Sequence, residues 1–368
     1  MFTSRDRRAA DAGAGRPRCR VVLAGLASAA LALAVAGPAA ADPPGGDGGE
    51  SVDLAVRSVI VAPNPVTDMV VDYQTPAGTL STLAPTGSTT TRNASLAAGT
   101  SPSVFPETPV GFDHVFTGSN GKLWRAVRSG GAVDTGLTVA AGTSPQLVLD
   151  RLGVEVLFQG GNGHLWTILP EGSAIDSGLP MAPGTSPSGV RAVSGETIAF
   201  QGANGHLWKL SPTGSVSDTG LAMAAGTSPS VAGHAAGPNE SEVAFQGADG
   251  NLWTLTPFGG SDTGLAIRAG TGPSIVQRLD GADEIAFQST NTRLLRLVPG
   301  VALTDTGLTM PAASSPVITI GRFGAVNLAL QGTNGHLFIV TPSGNADTTL
   351  TIRAGTSPSA VPLPPGIS

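Results

Sequence analysis

The hydrophobic positions of this chain come in short runs separated by tips rich in Gly, Asn, Asp and Ser. Val243-Ala244-Phe245-Gln246 and Leu252-Trp253-Thr254-Leu255 are one such pair, with Asp249-Gly250 between them. Runs of this length suit strands and are too short for ordinary helices. Asn-Gly at 120, 162, 204 and 334 takes the place that Asp-Gly holds at 249. The dipeptide predicts a two-residue hairpin of type I′, with positive φ at both tip residues. Apolar residues stand at successive as well as alternate positions, the pattern of strands covered on both faces.

The pairs recur. Gly-Thr-Ser-Pro begins at Gly99, Gly142, Gly184, Gly226 and Gly355, with Gly-Thr-Gly-Pro from Gly270 and Ala-Ser-Ser-Pro from Ala313, at spacings of 43, 42, 42, 44, 43 and 42 residues. Phe-Gln-Gly-x-Asn-Gly-His-Leu-Trp begins at Phe158 and Phe200, with variants from Phe116, Phe245, Phe287 and Leu330. Asp-Thr-Gly-Leu begins at Asp134, Asp218, Asp262 and Asp305 and is varied at Asp176 and Asp347. A further copy from Tyr73 aligns without a gap on the copy from Phe200, so seven units span about 56 to 353. A period of about 42 residues with three or four strands per unit predicts an all-β, seven-bladed β-propeller, six or eight blades being the alternatives. The motif restarts at Ala354, so segment 354–368 is expected to close the ring, completing a propeller domain of residues 56–368.

Composition sharpens this picture. With 51 Gly and 29 Pro in 368 residues but only 12% charged, the chain is too turn-rich for a helical bundle and too apolar for a disordered polymer. Arginines between 5 and 20, an apolar run over 21–37 and Ala39-Ala40-Ala41 read as a secretory signal peptide over 1–41, cleaved after Ala41. Residues 42–55, rich in Pro, Gly and acid, read as a flexible leader. Without 1–41 the chain keeps 14 basic and 24 acidic groups and no cysteine. That charge repels phosphate backbones, so nucleic acid is excluded as a partner, and stable membrane insertion is not expected. An extracellular chain without cysteine must hold together by burial and strand pairing.

The repeated Ser-Pro-Ser-Val, Val-Ala-Phe-Gln-Gly and Asn-Gly-His-Leu-Trp segments resemble the propeller repeats of secreted actinobacterial proteins. These are similar in turn to the tectonin and fucose-binding bacterial propeller lectins. The resemblance covers about 56 to 359 and implies a ring of carbohydrate sites between blades, each with an aromatic residue and polar hydrogen-bonding groups. The Trp-Asp-Gly outer strand of the fucose-binding group is absent here, so the resemblance carries the fold and not a sugar.

Trp124, Trp166, Trp208 and Trp253 occupy one repeat position, filled by Leu295, Phe338 and Ser81 elsewhere. An indole can stack on a pyranose while its N–H meets a hydroxyl, or it can serve as core between blades. His164, His206 and His336 follow the tips, with Lys122 and Asn251 in their place in two other units. They are either hydroxyl partners or solvated turn residues. Gln159, Gln201 and Gln246, with Gln74, Gln288 and Gln331, are either ligand contacts or braces for the adjacent turn. The aspartates of Asp-Thr-Gly-Leu are read as turn braces. Glu155, Glu196, Glu242 and Glu284, before the second strand, are read as solvated edge residues. No calcium loop, paired-His zinc motif or nucleophile elbow occurs, so no metal, cofactor or catalytic residue is expected. The unit with Ser289-Thr290-Asn291-Thr292 is expected to have lost any site. The leading function is a secreted, multivalent, non-catalytic lectin for glycans or glycoconjugates. An extracellular protein-interaction or surface scaffold is the alternative, and a glycan hydrolase comes third.

Overall fold

In the computed structural model the described residues are 68–363, apart from 108–110, 127–130, 150–152, 193–194 and 235–240. The signal segment 1–41 and the leader 42–55 lie outside them.

Seven antiparallel four-stranded sheets follow one another along the chain, six of them with their strands in sequence order from the centre outward. The innermost strands touch in a closed circuit, each meeting the next and the last meeting the first. The protein is a seven-bladed β-propeller. Blade 5 is typical: Ser230–Gly233 lines the centre, followed outward by Ser241–Gln246, Asn251–Thr256 and Gly259–Ala266. Blades 2, 3, 4, 6 and 7 cover 103–138, 146–180, 188–222, 274–309 and 317–351. Blade 1 takes its three outer strands from 69–95 and its innermost strand, Ser359–Pro362, from the other end of the domain; Val71 pairs with Ala360. Among the described residues no helix is long and apolar enough to cross a membrane.

The apolar runs divide their side chains between two junctions. Val243 and Phe245 pack towards blade 4, against Ala199 and Leu207. Ala244, one residue along, packs towards blade 6, against Ile285 and Phe287. A bulky face thus meets a small one at a junction, and burying each Phe contributes about 1.5–3 kcal/mol. Phe116, Phe158, Phe200, Phe245 and Phe287 are all fully buried.

The Gly-Thr-Ser-Pro motif is explained bond by bond. Thr143 Oγ1 donates to Ala140 O at 2.8 Å, and Thr100, Thr185, Thr227, Thr271 and Thr356 make the equivalent bond, stapling the crossover between blades. The Ser then links neighbours: Ser101 N–H donates to Ser144 Oγ, Ser144 to Ser186 and Ser186 to Ser228, each at 2.9 Å. Gly272 N–H continues to Ser315 Oγ, Ser315 to Ser357, and Ser357 back to Ser101 at 3.0 Å. This belt has one missing link, because residue 272 is Gly and offers Ser228 N–H no oxygen. Pro, which has no N–H, follows at the inner edge, where no ladder needs one.

Two expectations fail. The hairpin tips are not type I′: Gly163 has φ 81°, but Asn162 is absent from the residues with positive φ, and Gly163 N–H donates to Gly160 O at 2.8 Å. The tip is a type I turn followed by a left-handed Gly, the three-residue hairpin with a bulge. The glutamates are not solvated edges either. Glu155, Glu242 and Glu284 are 6%, 7% and 1% exposed, and Glu196 is half-buried. Their strands start before the apolar run does, which carries these acids into the blade junctions. Glu284 is neutralised there by Arg296 and Arg278.

Candidate functional site

Each hairpin tip builds a small polar network on the outer part of its blade. In blade 3, Asn162 Oδ1 accepts from Trp166 Nε1 at 3.0 Å and from His164 N–H at 3.2 Å. Asn162 Nδ2 donates to Asp176 Oδ2 at 2.8 Å, and His164 Nδ1 lies 3.1 Å from Asp176 Oδ1. Asp176 Oδ1 also accepts from Gly178 N–H at 2.9 Å, so the aspartate does brace its turn. A carboxylate only accepts, so His164 Nδ1 carries a proton towards Asp176.

Blade 4 repeats the set with Asn204, His206, Trp208 and Asp218. Blade 7 repeats it with Asn334, His336 and Asp347, and with Phe338 in place of the indole. In blade 2 Lys122 replaces His and its Nζ donates to Thr138 Oγ1 at 2.8 Å. In blade 5 Asp249 accepts from Trp253 Nε1 at 3.1 Å while Asn251 Nδ2 reaches Asp262. Blade 6 places Arg293 on Asp305 beside Leu295. The Gly178 N–H, then Asn162 and His164, hold the Asp176 carboxyl below its usual range, and Asp218 is lowered in the same way by Gly220, His206 and Asn204.

The tryptophans are half-buried. Trp166 packs beside Phe158, with ring centres 6.1 Å apart, and lies over Gly160, where a Cβ would collide with the indole. Trp124, Trp208 and Trp253 are placed alike on Phe116, Phe200 and Phe245. They therefore join the junction cores while one side stays accessible. Between blades 2 and 3 that side lines a cavity of about 410 Å³ with Leu137, Thr138, Phe158, Gly161 and Asn162. Gly161 allows the close wall, since a Cβ there would stand 2.7 Å from Thr138 Cγ2. The cavity is apolar at the back, with an amide, a hydroxyl and an indole at its rim.

The glutamines are elsewhere. Gln159, Gln201 and Gln246 are 1–2% exposed, and their Nε2 atoms donate to Ala182, Ala224 and Ile267 carbonyls at 3.1, 3.1 and 2.9 Å. They hold crossover loops and have no surface left to meet a ligand, which removes them from the candidate set. The asparagine that fixes each indole was missed in sequence, where it reads only as a turn residue. Its signal is the constant order Asn, His two later, Trp four later and Asp fourteen later in blades 3 and 4.

No protein-family model matches the chain, and no curated protein matches it in sequence. Solved structures do match. AofleA from Arthrobotrys oligospora superposes with a TM-score of 0.51 at 14% identity, over 81% of this chain and 96% of its own. A fungal lectin from Aleuria aurantia, described as a six-bladed β-propeller with a novel fucose recognition mode, gives 0.45 at 15% identity over 73% and 97%. Virginiamycin B lyase from Staphylococcus aureus gives 0.47 at 15% identity over 68% and 85%. The likeness to AofleA supports the propeller fold.

Proposed function

We propose that the protein is a secreted, non-catalytic glycan-binding propeller whose sites lie at the blade junctions faced by Trp124, Trp166, Trp208 and Trp253. The observation that carries this is the cavity at Trp166, where an indole held by Asn162 presents an accessible side beside Thr138. Its shape and lining suit one sugar ring: apolar C–H faces against the indole, hydroxyls to the amide and the threonine. The four tryptophans belong to consecutive blades, 2 to 5, so the sites would share one half of the ring and engage a glycan-bearing surface together. The tip networks of blades 2, 3, 4, 6 and 7 each hold one carboxylate, short of the pair that glycoside hydrolysis uses. The resemblance of the repeats to those of propeller lectins and the secretory character of residues 1–41 point the same way.

A glycan array with residues 42–368 tests this, beside Trp166→Phe, a change that the chain itself makes at Phe338. Selective binding that weakens in the folded variant supports the reading; a blank array from folded protein refutes it. A second reading, a protein-binding scaffold, is favoured by Phe258, Leu279, Val301 and Phe323, which are 94%, 76%, 78% and 100% exposed on turns of blades 5 to 7. A sugar-insensitive partner captured by this face, and lost when Phe258 and Phe323 become Ser, would identify it.

A further inference from the structure

At the junction of blades 5 and 6, three side chains from separate segments converge. His234 follows the innermost strand of blade 5, Glu242 lies in its second strand, and Asp283 opens the second strand of blade 6. Glu242 stands two residues before Ala244 and so shares its face towards blade 6; Asp283 stands two before Ile285 and faces blade 5. His234 Nε2 lies 3.1 and 3.0 Å from the two carboxylate oxygens of Asp283, and one ligand atom from each residue lies within 4.8 Å of the others. Both carboxyls are more than nine-tenths buried.

The repeat shows what is unusual here. In blade 6 the acid equivalent to Glu242 is Glu284, and Arg296, which pairs with Ala286 two residues along, neutralises it from the third strand. In blade 2 the same pair is Asp113 and Arg125. In blade 5 the arginine is replaced by Thr254, a neutral hydroxyl, while Asp283 adds a second carboxyl. Lys209 of blade 4 bears electrostatically on His234. Two buried carboxyls beside an imidazole, with no arginine to pair them, present the donors of a metal site.

We propose that His234, Glu242 and Asp283 bind one divalent transition-metal ion that clamps blade 5 to blade 6. Bonds of about 2.0 Å in tetrahedral geometry place neighbouring ligand atoms about 3.3 Å apart, close to the spacing found between His234 and Asp283. One imidazole with two carboxylates favours zinc or a similar ion over magnesium or calcium, which seek all-oxygen shells. Three protein ligands leave a fourth position open, beside the His234 side chain, which is 18% exposed.

The test uses the purified protein, stripped with chelator, dialysed against zinc and then against metal-free buffer. One equivalent of zinc is expected to remain, with a raised thermal midpoint that magnesium does not reproduce. Asp283→Asn with Glu242→Gln, close in shape, should weaken zinc binding more than about 100-fold, beyond the 10–100-fold of losing an outer-shell partner. His234→Gln, at the accessible corner, should do likewise and guards against misfolding of the double variant. His206→Gln, at an exposed His–Asp pair, should leave the retained equivalent in place. The wild-type protein retaining no zinc, or the Asn/Gln variant retaining as much, overturns the proposal and leaves a proton shared by the two carboxyls instead.

Discussion

The serine belt around the centre of the ring can be completed by one substitution. At six junctions an N–H meets a Ser Oγ of the next blade at 2.8–3.0 Å; at the seventh, between blades 5 and 6, Gly272 leaves Ser228 N–H without that oxygen. Gly272→Ser should supply it, with a net gain of about 1 kcal/mol for the hydrogen bond. Removing a glycine from the unfolded chain adds about 0.4–1 kcal/mol. Against this, the new Cβ would stand 3.1 Å from Ser228 O, so the crossover must yield by a few tenths of an ångström. Gly272→Ala shares the Cβ, the contact and the entropy, so the Ser variant should exceed it by the hydrogen bond alone. For a domain of this size about 1 kcal/mol corresponds to about 2 °C in the thermal midpoint. Scanning calorimetry of the three proteins reads it directly. A Ser variant no more stable than the Ala variant would show that the belt contributes nothing net, and the reasoning would fall.

Two further predictions concern the tips. Thr292 holds φ 69° where Gly121, Gly163, Gly205, Gly250 and Gly335 stand in other blades; the left-handed conformation costs an L-residue about 1–2 kcal/mol, so Thr292→Gly should stabilise the protein by about 1 kcal/mol after the entropy of Gly is subtracted, measured by denaturant midpoint. Asp176, Asp218 and Asp347 are held below the usual carboxylate range, so their contribution is complete above the unfolded value of about 3.9 and is lost as pH falls through the lower folded values. The tryptophan-fluorescence change due to Asp218, read as the difference between wild type and Asp218→Asn, should therefore fall below about pH 4; a difference centred near pH 5 would contradict it.

Much of this architecture is written in the spacing of a few residues. Gly-Thr-Ser-Pro or a close variant marks each crossover, because Thr, or Ser314 in its place, staples it and Ser, except at Gly272, ties it to a neighbouring blade, so the period and blade count could be read before any contact was known. The glutamates could not be read this way. Glu242, Glu284 and Glu155 look like edge residues because sequence shows only that they precede an apolar run, and whether a strand begins one residue earlier depends on pairing with the innermost strand. The tip asparagines were hidden for another reason: Asn-Gly has a sufficient local explanation as a turn, which conceals the bond from Asn162 to Trp166. His234 was invisible because it departs from the repeat, lying in the interval of 44 residues between Gly226 and Gly270, and its partners belong to different blades.

The pairing of Val71 with Ala360 also sets an order of events. As the chain is synthesised, blades 2 to 7 can each form from contiguous residues, but blade 1 must wait with the inner edge of Met69–Gln74 bare until Ser359–Pro362 has emerged. An unpaired edge of that kind is a template for pairing with other chains, and the contact that covers it has nearly the longest sequence separation the domain allows, which makes it slow. The strand Ser359–Pro362 therefore decides whether six finished blades become a ring or remain an open arc seeking a strand.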